Sequence, residues 1–221
     1  MGNIVIFGTK AFAEIAHYYF THDSPHTVAA FTVDAAYLKE PMYKGLPVVA
    51  FEEVERAFPP DEHGMFVAVG FHKMNQLRAE TAARAEAKQY ELASFVSSKA
   101  DVAADLKVHP NTMIMERAVI QPFARIGKNS VIWSTSRIGF HSCIGDHCWI
   151  TSALFGESVT VGDYSFVGLN ATIASFVSLG RRNLIGAGAL VLHDTKDGEI
   201  YRSRASRASR VKSDRLPHFG T

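Results

Sequence analysis

The second half of the chain carries a branched aliphatic or aromatic residue at every sixth position, with a single slip of one residue at 151–155. Neither the 3.6-residue period of a helix nor the two-residue alternation of a strand produces this spacing. A parallel β-helix of hexapeptide repeats does. We call these positions the beat residues: Val96, Val102, Val108, Ile114, Ile120, Ile126, Ile132, Ile138, Ile144, Ile150, Phe155, Val161, Val167, Ile173, Leu179, Ile185 and Val191.

Each beat residue is predicted to point into a three-sided prism and to stack on its equivalent one coil away, about 4.8 Å along the hydrogen-bonding direction. Three hexads form one coil, so the seventeen beats predict between five and six coils. Glycines directly after a beat, such as Gly139 and Gly186, are predicted at corners that need positive φ or a close backbone approach. The slip at 151–155 predicts a bend or a short protruding loop.

The first part of the chain alternates apolar strands with amphipathic helices, which is typical of a small doubly wound α/β domain. No flexible linker precedes the repeat, so we expect the two parts to pack together. The predicted division is a Rossmann-like domain over 1–92, a β-helix over 93–197 and a basic tail over 198–221. The predicted strands are 3–7, 27–33, 48–50 and 65–69, and the predicted helices are 11–20, 52–57 and 73–89.

Composition narrows the function classes. The formal net charge is +1, so nothing suggests a general attraction to nucleic acid or membrane. No apolar run reaches the about 20 residues that span a bilayer. The N-terminus runs straight into a strand without a signal peptide's basic region and apolar stretch. The two cysteines are expected to be reduced, and together these features predict a cytoplasmic protein.

Polar and glycine residues follow three predicted strands at the carboxyl edge of the sheet, where ligands of doubly wound folds bind. Gly8, Thr9 and Lys10 follow the first strand and open a helix, whose free N–H groups suit a phosphate. The fingerprint G-x-G-x-x-G is absent, which disfavours NAD. Asp34 ends the second strand and is able to accept a hydrogen bond from a ribose or base. Lys73 follows the third main strand, and we expect it at the same edge.

A small α/β domain followed directly by a hexapeptide prism resembles the bacterial sugar acyltransferases. That family includes sialic-acid O-acetyltransferases and the N-acetyltransferases of bacillosamine and perosamine biosynthesis. The resemblance covers nearly the whole chain. It rests on Ile-Val-Ile-Phe-Gly at 4–8, Phe-Thr-Val-Asp at 31–34, Val-Ala-Val-Gly at 67–70, Trp-Ser at 133–134, Ile-Gly-Phe-His-Ser-Cys-Ile-Gly-Asp at 138–146 and Leu-Ile-Gly-Ala-Gly-Ala at 184–189.

This resemblance implies a left-handed prism, a homotrimer, a nucleotide-linked sugar on the N-terminal domain and acetyl-CoA in a groove between subunits. It implies direct attack of a sugar amine or hydroxyl on the thioester, with a histidine as general base and backbone N–H groups stabilising the oxyanion. Small residues on the later coils would admit the pantetheine arm, and arginines at the prism exit would reach the phosphates. The residues assigned to acetyl-CoA in this way are Gly168, Gly186, Ala187, Gly188, Arg202 and Arg204.

The catalytic position departs from the family pattern. In the relatives the base is a histidine two residues after a beat, usually followed by an acid, but that position is Phe140 here. His141 and Ser142 follow it and form the predicted catalytic pair, with the His141 ring able to act as a base near neutral pH. Two alternatives stay open. The base is His147 or Glu157, or no base is needed because a sugar amine arrives deprotonated.

The leading hypothesis is an acetyl-CoA-dependent N-acetyltransferase that acts on a nucleotide-linked amino-deoxysugar in surface glycan biosynthesis, with no metal. Sugar O-acetylation is a close alternative. A γ-carbonic-anhydrase-like metalloenzyme would need His109, His141 and His147 around a zinc ion across a subunit interface. A non-catalytic trimeric scaffold that binds a nucleotide sugar also stands, because Phe140 replaces the family base.

Overall fold

The computed structural model describes residues 2–208 together with 210, 212 and 215. Its N-terminal part is a five-stranded sheet flanked by helices. The strands are β1 Asn3–Phe7, β2 Thr27–Val33, β3 Met42–Tyr43, β4 Leu46–Ala50 and β5 His63–Val67. The helices are α1 Ala11–His22, α2 Val54–Ala57 and α3 Gln76–Ala87, with short 3-10 turns at Ala35–Tyr37 and Phe51–Glu53.

The sheet order is β3-β4-β2-β1-β5, and all neighbours are parallel except the β3–β4 hairpin. Strand β1 therefore lies between β2 and β5, and its carboxyl end is the point where the connections diverge. The predicted strands and helices are confirmed with shifted ends. The third helix begins at Gln76 rather than Lys73, because Lys73, Met74 and Asn75 have positive φ values of 51°, 51° and 64°.

The rest of the chain is a parallel β-helix of two-residue strands in three sheets, which confirms the hexapeptide prediction. The docking face contains β6 Phe95–Val96, β8 Met113–Ile114, β11 Val131–Ile132, β14 Trp149–Ile150, β17 Phe166–Val167, β20 Leu184–Ile185 and β22 Ile200–Tyr201. The second face contains β7 Asp101–Val102, β9 Val119–Ile120, β12 Arg137–Ile138, β15 Leu154–Phe155, β18 Thr172–Ile173 and β21 Leu190–Val191. The third face contains β10 Arg125–Ile126, β13 Cys143–Ile144, β16 Thr160–Val161 and β19 Ser178–Leu179.

Positive φ marks the corners, three residues after most beats. The first corner, between docking and second faces, has Arg117, Thr135, Ser152, Asn170 and Gly188. The second corner, between second and third faces, has Phe123, His141, Ser158 and Phe176. The third corner, which returns to the docking face, has Asn111, Asn129, His147, Tyr164 and Arg182.

The glycines after the beats serve close approach, not positive φ. A Cβ built on Gly168 would lie 2.7 Å from the backbone nitrogen of Ala187, and one on Gly139 would overlap the carbonyl oxygen of Gly156. Neither of these two glycines has positive φ. Of the two explanations that the sequence left open, the approach of successive coils is therefore the correct one.

Three details of the repeat differ from the prediction. The slip at 151–155 produces no protruding loop, because the first corner at Ser152 is simply one residue shorter and β14 and β15 stay in register with the adjoining coils. Val108 lies outside any strand with 43% of its surface exposed, so the third face begins one coil late. Strand β22, inside the predicted tail, pairs in parallel with β20 and extends the docking face.

The N-terminal domain and the prism share one hydrophobic core. Outward-facing residues of the docking face are apolar, and they pack on α1 and on one side of the N-terminal sheet. Phe12 of α1 contacts Trp149 with 4.9 Å between ring centroids, and Phe20 contacts Phe95 at 5.6 Å. Within the described residues, no helix has the length and apolar character that a bilayer crossing needs.

A buried polar network fixes the second contact between the domains, where α3 meets the third corner. Arg78 of α3 is fully buried, and its guanidinium donates to the carbonyl oxygens of Asn129 at 3.0 Å, Cys148 at 3.1 Å and His147 at 3.3 Å. It also donates to the Asn75 side chain at 2.9 Å and lies over the Trp149 ring. The helix is thereby tied to two successive coils of the prism.

Candidate functional site

A cleft of about 520 Å³ lies between α1 and the first corner of the prism. We call it the first-corner cleft. Both domains contribute to its walls, so it exists only because the N-terminal domain docks on this face. Its lining residues are Glu14, Ile15, His17, Tyr18, Tyr19, His22, Lys44, Met115, Glu116, Trp133 and Ser134.

The polar groups of the first-corner cleft pair across the domain boundary. The phenol of Tyr19 on α1 donates to Oε2 of Glu116 on the prism, and Lys44 forms an ion pair with Glu14. Burial raises the pKa of Tyr19, and the hydrogen bond to Glu116 raises it further, so Tyr19 stays a protonated donor. The indole Nε1 of Trp133 is buried and donates to no described residue.

Most of the residues predicted for acetyl-CoA lie on the same corner, on the last coils. Ala187 and Gly188 are exposed at the first corner, and no atom lies within 3.5 Å of a Cβ built on Gly188. Arg202 and Arg204 follow β22, and Ser203 between them donates to the Ala187 carbonyl oxygen at 2.6 Å. The structure thus brings the loop after β22 onto the first corner.

Two of the predicted cofactor glycines serve the prism itself. Gly168 is buried beneath Ala187 of the following coil and is not available to a ligand, which corrects that assignment. Gly186 donates its N–H to the Tyr201 carbonyl oxygen at 2.7 Å, so its backbone belongs to the ladder between β20 and β22. The accessible part of the predicted set is Ala187, Gly188, Arg202 and Arg204.

The predicted catalytic pair lies on a different corner. His141 is exposed at the second corner and stacks on Phe123 with 4.8 Å between ring centroids. Ser142 is fully buried, donates to the Gly156 carbonyl oxygen at 3.1 Å and accepts from the Val159 N–H at 3.1 Å. Ser142 therefore bridges two coils, and its prediction as a catalytic residue is corrected. Within one chain, His141 and the first-corner residues do not form one site.

His147 is held as a hydrogen-bond donor. The Val67 N–H donates to Asn111 Oδ1 at 2.7 Å, which fixes the Asn111 amide, and Asn111 Nδ2 donates to Asn129 Oδ1 at 2.6 Å. Asn129 Nδ2 therefore donates to His147 Nδ1 at 2.8 Å, which leaves the proton on Nε2. Burial lowers the pKa of His147, so the neutral ring presents an N–H and does not act as a base at Nε2.

The other candidate bases, His147 and Glu157, do not line the first-corner cleft. His147 lines a second cleft of about 360 Å³ between α3 and the third corner. Glu157 is exposed and directly precedes Ser158 of the second corner, one coil step from His141 and away from the first corner. In the described part of the chain, no three histidine, cysteine or acidic side chains are placed to hold one metal ion.

The residues predicted to bind the sugar nucleotide surround the carboxyl end of β1. Gly8 has φ of 123°, and a Cβ there would lie 2.9 Å from the Ala68 carbonyl oxygen, so only glycine fits this turn. Helix α1 follows with no side-chain cap at Lys10, which leaves its first N–H groups free. Asp34 is already ion-paired with Arg84 of α3, and Lys73 is exposed in the left-handed segment before α3.

The chain is similar to a known protein family in sequence and to several solved structures in fold. Residues 105–140 match the family model described as bacterial transferase hexapeptide (six repeats). PerB from Caulobacter crescentus, solved with CoA and GDP-perosamine, is 23% identical with a TM-score of 0.81, covering 90% of this chain and 93% of that one. The chain shares the fold of PerB over nearly its whole length.

Further relatives agree with the resemblance seen in the sequence. The acetyltransferase domain of PglB from Neisseria gonorrhoeae, solved with acetyl coenzyme A, is 17% identical with a TM-score of 0.78, covering 90% of this chain and 94% of that one. A curated relative, the bifunctional protein GlmU from Oleidesulfovibrio alaskensis, is 23% identical over 135 residues. The alignment covers 53% of this chain and only 29% of that relative's length.

Sequence reasoning missed Tyr19, Lys44 and Glu116. One signal was present, because Glu116 stands two residues after the beat Ile114, at the same offset as Phe140 after Ile138. Every hexad has such a position, however, and the offset does not tell which corner carries a cleft. The partner Tyr19 is 97 residues away in sequence, so the pair could not be recognised without the domain arrangement.

Proposed function

We propose that this protein is an acetyl-CoA-dependent acetyltransferase that N-acetylates a nucleotide-linked amino-deoxysugar in the cytoplasm, for surface glycan biosynthesis. The observation that carries the proposal is the full-length match to the fold of PerB, which was solved with CoA and GDP-perosamine. Both the α/β domain and the prism fall within the aligned 90% of this chain, so the match is not limited to the repeat.

The first corner supports a path for the acyl donor. The exposed Ala187 and Gly188 lie on the corner that leads, coil by coil, to the first-corner cleft. Arg202 and Arg204 at one end would bind the phosphates of acetyl-CoA, as planar guanidinium groups do. The acceptor amine would attack the thioester carbonyl at the cleft, and backbone N–H groups there would stabilise the developing oxyanion.

The sugar nucleotide is proposed to bind at the carboxyl end of β1. The uncapped start of α1 behind Gly8 and Thr9 would receive a phosphate. Lys10 and Lys73 are exposed beside it, while Asp34 would have to share its oxygens with Arg84. This carboxyl edge of the sheet belongs to the proposed Rossmann-like domain.

A homotrimer would complete the site. Large apolar side chains are exposed at the second corner of the prism, with Phe123 at 61% and Phe176 at 69% exposure. Covering them with a second copy would remove apolar surface from water. The same contact would carry His141 from the second corner of one copy toward the first corner of another. Light scattering tests this state, and a monomer would contradict it.

The function is tested by release of free CoA thiol from acetyl-CoA with a panel of nucleotide-linked 3-amino and 4-amino deoxysugars. We expect turnover with a particular amino sugar. Turnover only with hydroxyl acceptors would replace N-acetylation by O-acetylation. Nucleotide-sugar binding without thiol release would favour the scaffold function, which Phe140 keeps open. The His141→Ala variant, run in parallel, tests whether His141 supplies the base across the subunit contact.

A further inference from the structure

Glu116 lines the first-corner cleft, and its carboxylate forms no ion pair with a described cationic side chain. The other cleft carboxylate, Glu14, is ion-paired with Lys44. Among the described residues, Glu116 takes part in no ion pair, and its side chain makes a single hydrogen bond, from Tyr19 to Oε2. A half-buried carboxylate is costly without compensation, and a cationic ligand would supply it.

Tyr19 orients this carboxylate across the domain boundary. Its hydroxyl is a donor, since burial and the contact with Glu116 both raise its pKa. One carboxylate oxygen is therefore held by Tyr19, and Oε1 is left to accept a proton or a hydrogen bond from a ligand. A tyrosine on α1 and a glutamate on the prism form this pair only when the two domains are docked.

The pair also lies in line with the proposed acyl-donor path. Glu116 precedes Arg117, the earliest of the first-corner residues, and Gly188 is the last of them. Four coil steps separate these two positions, about 19 Å along the prism axis. Ser134, also a cleft residue, is one coil step from Glu116 in the same direction. An extended donor anchored near Gly188 would thus point its reactive end toward Glu116.

We propose that Glu116 is the general base for the acceptor amine and that Tyr19 is its positioning residue. This inference rests on the proposed function. The acceptor enters as an ammonium ion, and Glu116 Oε1 takes one proton and frees the nitrogen lone pair. The nitrogen attacks the thioester carbonyl carbon, the C–N bond forms, and the C–S bond breaks with its electron pair on sulfur. The thiolate recovers the proton from Glu116, and the nitrogen releases its second proton to water.

The test measures thiol release against pH for Glu116→Gln, Tyr19→Phe and a control, Glu62→Gln, which changes an exposed carboxylate that does not line the cleft. Glutamine still accepts a hydrogen bond from Tyr19, so the fold is kept. At neutral pH we expect kcat to fall about 10²–10⁴-fold in Glu116→Gln and about tenfold in Tyr19→Phe. The Glu116→Gln rate should climb with pH as the free amine accumulates, whereas the wild-type rate levels off earlier.

Two outcomes would overturn the inference while the proposed function stands. The first is a kcat of Glu116→Gln equal to that of Glu62→Gln, and the second is a pH profile of Glu116→Gln with the wild-type shape. If the wild-type protein turns over no amino sugar, the proposed function fails. In that case, titration calorimetry tests whether the cleft binds an amine, by comparing the affinity for a nucleotide-linked 4-amino-deoxysugar with that for its 4-hydroxy counterpart. The inference requires Glu116→Gln to weaken binding of the amino form alone, and equal or absent binding of both forms overturns it.

Discussion

Replacing Arg78 by methionine should loosen the attachment of α3 to the prism. Methionine fills much of the same apolar volume but donates no hydrogen bond. The carbonyl oxygens of Asn129, His147 and Cys148 would lose the guanidinium donors that lie 3.0–3.3 Å away. Asn129 and Cys148 are buried, so water does not readily replace the lost donors.

The magnitude follows from two opposing effects. An unpaired buried acceptor costs about 1–3 kcal/mol. The Cys148 carbonyl keeps the Val131 N–H, so the acceptors left unpaired are the Asn129 and His147 carbonyls and Asn75 Oδ1. Three such acceptors at the low end of the range give about 3 kcal/mol. Burial of the cation opposes this, since it lowers the pKa of Arg78 to about 9. The low end of the cost per acceptor applies here, because relief of the buried charge offsets part of the loss. We therefore expect a loss of about 3 kcal/mol.

Urea unfolding followed by circular dichroism measures this loss. With an m-value of about 3 kcal/mol per M, the midpoint should fall by about 1 M. Arg84→Met on the same helix is the matched control, because its ion pair with Asp34 is partly exposed and worth about 0.2–1 kcal/mol. A midpoint for Arg78→Met that equals that of Arg84→Met would refute the reasoning, since relief of the buried charge would then balance the lost donors.

Three further predictions concern the prism. Gly139→Ala should prevent close stacking of two coils and lower the melting temperature by several degrees, whereas Gly2→Ala, which meets no neighbouring atom within 4 Å, should not. Ser142→Ala should cost about 1–3 kcal/mol of stability in urea and leave thiol release per folded molecule unchanged, and a selective loss of turnover would restore its catalytic role. Burial lowers the pKa of His147 below its ordinary 6.5, so the unfolded chain binds the proton more readily and stability should fall as the pH drops below that value. His147→Gln should flatten that dependence relative to His141→Gln, and an unchanged slope in urea titrations would contradict the assignment.

The sequence by itself determined the prism and the type of the N-terminal domain. A six-residue spacing of beats such as Ile114, Ile132 and Ile150 specifies coils because the same contact recurs locally at every step. It even contained the docking face, since the residue directly before every third beat is apolar, as at Phe95, Met113 and Trp149. That 18-residue pattern is readable only once three hexads are known to form one coil.

Only the tertiary structure decided where the candidate site lies. A shift of one hexad moves a side chain to the next corner of the prism, so the offset that pointed to Phe140 and His141 applied equally to Glu116. The docking of α1 selects the first corner, because it builds a cleft there and brings Tyr19 to a carboxylate 97 residues away. Contacts between residues so distant in sequence depend on how two finished surfaces meet, and no local spacing encodes that geometry.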